Sequence, residues 1–134
     1  MKIILNNCPI LFKTFRGQVT TPHTLTTDDI QYIDQYLTNP DVGGTASLAS
    51  YSGYAVSVPF LVKSGDVFTM TGITNSVCAI AKIDGSSFVS MAKGQAIASE
   101  SQTHTITATE DILVVVCWRY GFSVPGTVVG YTIE

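Results

Sequence analysis

Few residues in this chain could carry chemistry, and they are spread thinly. There are two histidines, His23 and His104, far apart, and three cysteines, Cys8, Cys78 and Cys117. Metal sites draw on clustered His, Cys or carboxylate ligands, and no such spacing occurs, so neither a metal nor a cofactor is expected. The Gly-x-Ser-x-Gly elbow of a serine hydrolase is missing. A small hydrolase pairing a serine with His23 or His104 is a third reading, behind two non-enzymatic ones, and no catalytic residue is assigned. The odd cysteine count without a C-x-x-C spacing argues against a disulfide framework. Cys78 and Cys117 lie in apolar, strand-like runs and read as buried thiols.

Carboxylates pair at Asp28-Asp29 and Glu110-Asp111. Glycoside hydrolysis needs two carboxyl groups facing each other across a cleft, and neighbours in an extended chain point apart. Asp28-Asp29 reads as the start of a helix and Glu110-Asp111 as a polar turn. The aromatics form the one constellation of interest. Trp118, Tyr120 and Phe122 stand at i, i+2 and i+4, which places them on one face of an extended strand, with Arg119 on the other. A flat aromatic row stacks against the C–H faces of sugars, and Tyr51 and Tyr54 would border it. Trp118, Tyr120, Phe122 and Tyr54 are therefore the candidate glycan platform. The competing reading, which weighs more, has Trp118 and Phe122 plugging the core or a subunit contact.

The elements that would position these residues are strands. From about residue 45 the chain is rich in Val, Thr, Ser, Tyr and Gly, in short runs between turns, which is an all-β pattern. The predicted strands are Tyr54–Val62, Val67–Gly72, Val77–Ile83, Phe88–Ala92, Thr103–Ala108, Ile112–Tyr120 and Val128–Ile133. Ser64-Gly65-Asp66, Asp84-Gly85-Ser86 and Pro125-Gly126 mark turns. Phe68 and Met70 alternate with Thr69 and Thr71, the sign of a strand with one wet face. Ile112 to Cys117 is apolar on both faces, which indicates a central strand or one covered by a neighbouring subunit. These features predict a β-sandwich of jelly-roll type over residues 46–134.

Residues 1–45 read as a separate attachment or oligomerisation arm. Ile3–Leu5 and Ile10–Phe15 suggest two short strands. Thr26-Thr27-Asp28-Asp29, followed by Ile30, Ile33 and Leu37, predicts a capped helix ending before Asn39-Pro40. Asp41-Val42-Gly43-Gly44 reads as a join.

Composition limits the function. The 134 residues are 46% hydrophobic but only 13% charged, with net charge −3; soluble domains average about 25% charged residues. Seven Lys+Arg against ten Asp+Glu cannot coat a phosphate backbone with positive charge, which argues against nucleic acid as a partner. No apolar run approaches the roughly 20 residues of a membrane span, and the amino terminus does not read as an export signal. Burial of outer surface in an assembly explains the sparse charge.

Pro59-Phe60-Leu61-Val62-Lys63-Ser64-Gly65-Asp66-Val67, Asp84-Gly85-Ser86-Ser87-Phe88-Val89 and Thr105-Ile106-Thr107-Ala108-Thr109-Glu110-Asp111 resemble a family of small jelly-roll modules. These occur in the fibres and decorating proteins of tailed bacteriophages and beside esterases and other surface proteins of bacteria. The resemblance covers about residues 50–134, and Ile112 stands where the family usually continues with Gly. It implies a fold and a setting and carries no catalytic residue across. The setting it implies is the virion, at head or tail, for a protein made in the host cytoplasm. The implied partners are further copies of the chain, trimers in many fibres, other virion proteins and a host-surface glycan. A free-standing carbohydrate-binding module is the alternative.

Overall fold

The computed structural model describes residues 17–134; the expected strands at Ile3–Leu5 and Ile10–Phe15, and Cys8, lie outside them. Thirteen strands follow in order. The first four are β1 (Gly17–Gln18), β2 (His23–Thr24), β3 (Ile30–Leu37) and β4 (Thr45–Ala46). Then come β5 (Leu48–Ser57), β6 (Phe60–Val62), β7 (Val67–Gly72), β8 (Cys78–Asp84) and β9 (Ser87–Lys93). The last four are β10 (Gln102–Thr107), β11 (Ile112–Arg119), β12 (Thr127–Val129) and β13 (Thr132–Ile133). They form two antiparallel sheets. The larger runs β1-β13-β6-β11-β8-β9-β4, with β5 pairing β11 and β3; the smaller runs β10-β7-β12-β2.

The main core lies between the sheets. Phe68 and Met70 of β7, Ile106 of β10 and Val128 of β12 meet Phe60, Val62, Ile80, Val114, Val116 and Trp118 of the larger sheet. Burying such side chains is worth roughly 1.5–3 kcal/mol each before entropy is counted. The opposite face of the small sheet is wet and lined with threonine. Thr24, Thr127, Thr71 and Thr103 stand in register across its four strands. The Thr69–Thr105 and Thr71–Thr103 hydroxyls are each 3.1 Å apart.

A second apolar cluster sits on the far side of the larger sheet. Hydrogen bonding runs from β11 through β8 and β9 to β4, and β5, one residue beyond β4, returns to β11. Leu37, Ala46, Tyr54, Val56, Cys78, Ala81, Val115 and Cys117 fill this loop of strands. The two-faced apolarity of Ile112–Cys117 is thus met largely within the chain: even positions of β11 enter the main core, and Val115 and Cys117 enter the second. Only Leu113 stays exposed.

The expected helix at residues 26–37 is corrected. Thr26 does cap a helical turn, its hydroxyl accepting from the Asp28 N–H while the Asp29 carboxylate accepts from the Thr26 N–H. The turn is a single 3-10 turn, Thr27–Asp29, and β3 follows at once. The spacing of Ile30, Ile33 and Leu37 imitated a helical stripe, but the three do not share a face. Ile30 packs on the main core, Leu37 on the second, and Ile33 is exposed. A bulge at Asp34 (φ 56°) interrupts the alternation and creates the false period. The region expected as an arm joins both sheets from residue 17 onward: β2 pairs β12, β3 pairs β5, and the expected boundary near residue 45 falls in β4.

Two of the three motifs that carry the family resemblance meet in space. The Ser64 N–H donates to Asp111 Oδ1 at 2.9 Å, and Lys63 Nζ lies 3.1 Å from Asp111 Oδ2. The Gly65 N–H donates to Ala108 O, and the Ala108 N–H to Asp66 O. The 63–66 turn and the 105–111 segment thus clasp each other at the end of the β7–β10 pair.

Candidate functional site

The four expected platform residues do not form a flat row. Strand β11 ends at Arg119, so the alternation that would align Trp118, Tyr120 and Phe122 fails after one residue. Trp118 is buried in the main core at 2% exposure. Phe122 lies in the following turn with the Arg119 guanidinium 4.0 Å above its ring, a cation–π contact. Tyr120 donates its hydroxyl to Asp34 Oδ1 at 2.6 Å. The three still border one cavity of about 260 Å³, with Arg119, Leu25 and Pro125. Tyr54 is elsewhere, in the second cluster.

Tyr54 belongs instead to a tyrosine cluster. Tyr36, Tyr51 and Tyr54 pack with ring centroids 5.3–6.5 Å apart, Tyr51 edge-on to both others. Local backbone produces this grouping. Ile33 pairs Ala55 and Gln35 pairs Ser50, so residues 51–54 of β5 stand opposite the single Asp34. Gly53 takes φ 96° within this bulge, and its N–H donates to Asp34 Oδ1 at 2.9 Å. A side chain at Gly53 would be strained by that φ. The bulge throws both Tyr51 and Tyr54 toward Tyr36 on β3.

The cluster walls a cavity of about 240 Å³, completed by Asn75, Ser76 and Val77. None of the six carries a charge at neutral pH. Tyr51 is 60% exposed whereas Tyr54 is 5% exposed. Burial pushes the Tyr54 phenol above its ordinary value, against the opposing charge of Arg119. Asp34, at the base of the bulge, is held below the ordinary carboxyl value by the Gly53 N–H and the Tyr120 hydroxyl. The same contact raises Tyr120.

The histidines have structural partners. His23 Nε2 lies 3.0 Å from Asp29 Oδ2, with its ring edge-on to Tyr131. His104 Nε2 lies 3.0 Å from Thr74 Oγ1 and 3.2 Å from Gln102 Oε1. Gln102 also accepts from the Gln95 N–H and donates to its carbonyl, so this network ties down the segment between β9 and β10. Burial lowers His104 from its ordinary value. Among the described residues Cys78 and Cys117 are buried and form no disulfide, and burial drives Cys117 up to about 12, which leaves its thiolate scarce. Among the described residues no group of three His, Cys, Asp or Glu side chains is placed to hold a metal ion.

Sequence reasoning found Tyr51 and Tyr54 but attached them to the wrong aromatic group. It missed Tyr36, hidden in the expected helix, and Asn75 and Ser76, which follow β7 and carry no motif. The pairing Tyr51-Ser52-Gly53-Tyr54 was the available signal, since a glycine between aromatics inside a strand marks a bulge. Comparison with protein-family models, curated proteins and solved structures gave no match for this chain.

Proposed function

We propose that this chain is a non-enzymatic structural component of a phage particle, a jelly-roll module that associates with further copies of itself. The observation that carries self-association is an apolar row that continues the second core's face of the larger sheet out to Leu113 and Leu61, with Ile83 and Phe88 also packed against that core. Leu61 pairs Leu113, and Ile83, one position beyond the Val114–Lys82 pair, lies next to Leu113 and pairs Phe88. Residues directly opposite in an antiparallel pair share a face, so Leu61, Leu113, Ile83 and Phe88 form a band across four strands. Leu113 is 45% exposed. A cavity of about 310 Å³, walled by Tyr32, Pro59, Phe88 and Val115 among others, adjoins the band. The ion pairs of Lys63 with Asp111 and Glu134 stand beside it. An apolar centre with charge at its rim is the anatomy of a subunit contact, and a symmetric assembly would cover it.

The jelly-roll assignment is supported by how the chain alternates between sheets: β7, β10 and β12 lie in the small sheet, with β8–β9, β11 and β13 in the large one. The particle setting rests on the resemblance of the sequence motifs. Sedimentation of the purified chain should show an oligomer, and Leu113→Arg should return it to monomer with its melting temperature nearly unchanged. A wild-type chain that stays monomeric at high concentration ends the self-association reading. Capsid, portal or tail genes beside its gene would support the particle setting, and polysaccharide-degrading enzymes there would overturn it.

A further inference from the structure

The tyrosine cavity shares no lining residue with the apolar band, and its chemistry is of a different kind. Its lining is wholly uncharged: Tyr36, Tyr51, Tyr54, Asn75, Ser76 and Val77. The nearest charge is the Arg119 guanidinium, which the Tyr54 phenol feels but which does not line the cavity. The ring centroids are only 5.3–6.5 Å apart, so the tyrosines pack on one another and leave no gap between them for an ammonium group. A ligand must lie against the outside of the cluster, where the exposed Tyr51 ring offers a stacking surface.

Polar groups face the same space. Tyr54 is 5% exposed and lines the cavity. Asn75 lines the cavity beside Ser76, whose left-handed backbone (φ 56°) turns the chain back there and whose hydroxyl donates to the Asn75 side-chain oxygen Oδ1 at 3.4 Å. The Asn75 amide nitrogen makes no hydrogen bond among the described residues. Aromatic rings beside neutral donors and acceptors recognise a molecule with apolar C–H faces and hydroxyl edges. The volume of about 240 Å³ is below the roughly 300–1,000 Å³ of pockets that enclose drug-sized ligands, which suits a single ring.

We propose that this cavity binds one ring of a neutral saccharide, with Tyr51 stacking on a sugar face and Tyr54 and Asn75 bonding its hydroxyls. The site lies within one chain and does not depend on the assembly reading. NMR titration of the full chain with glucose, galactose, mannose and N-acetylglucosamine, then a printed array of longer neutral glycans, tests it. Expected are shifts confined to Tyr36, Tyr51, Tyr54 and the Asn75 side chain at millimolar sugar. Tyr51→Ala should weaken binding about tenfold, Tyr54→Phe several-fold, and Tyr51→Phe little. No response to any of these sugars or glycans overturns the proposal. So does binding that moves Trp118 and Phe122 instead, or a cluster that answers only to tetramethylammonium or a proline-rich peptide. Light scattering on the same samples reads assembly separately, so failure of the sugar site leaves the self-association reading standing, and the reverse.

Discussion

At the residue scale, His104 shows how burial sets the role of a titratable side chain. Thr74 and Gln102 hold its ring, and burial makes the charged form costly, lowering its pKa from 6.5. A histidine depressed in the folded state binds its proton more readily when unfolded. Its contribution to stability is therefore complete above pH 6.5 and is lost as pH falls from there through the lower folded value. Urea denaturation above and below pH 6.5 should show stability dropping on the acid side, and His104→Gln should flatten that drop. An unchanged slope in the variant would assign it to other groups. Gly94 belongs to the same locality: a Cβ there would lie 1.9 Å from Thr74 O and 2.3 Å from Val77 O, so no other residue fits between these carbonyls.

At the element scale, the informative feature is the break between β5 and β6. The run Tyr54–Val62 reads as one strand, and β5 and β6 do continue one another along β11. Pro59 has no N–H to give to the ladder, and pairing lapses between Ser57 and Phe60. Ser57, fully buried, repairs the gap: its hydroxyl accepts from the Val116 N–H at 2.9 Å and donates to Val58 O at 2.8 Å. Ser57→Ala should leave that N–H unsatisfied and cost about 1–3 kcal/mol, measured by denaturant unfolding; a loss within experimental error would show that the gap tolerates an unpaired donor. Most strands after residue 60 were legible because turns bound them, as at Val67–Gly72, but the run expected as one strand at Val128–Ile133 divides at Gly130 (φ 97°) into β12 and β13, which lie in different sheets. The hairpin of β3 and β5 was not legible, because two register shifts disguise it. The glycan platform failed for a related reason: strand spacing was carried past Arg119 into a turn, and Tyr36 met Tyr54 only through the misread hairpin.

At the scale of the whole molecule, β11 is the shared wall of two cores. Its even-numbered side chains join the sandwich interior, and Val115 and Cys117 join the second cluster, so neither core can dissolve without exposing the other. The single tryptophan, Trp118, reports on the first, and Tyr36 and Tyr54 report on the second. Trp118 fluorescence and tyrosine near-ultraviolet dichroism should lose signal at the same denaturant concentration, as one cooperative unit requires. Separate midpoints would show that the two cores unfold independently. The threonine side of the small sheet has a different consequence. It meets water through hydroxyls set at the spacing of the strands, Thr24 to Thr103. Such groups take up no proton between acid and alkali, and salt has no ionic charge there to screen. Whether the medium is fresh or briny, sour or neutral, that flank keeps the same coat of water.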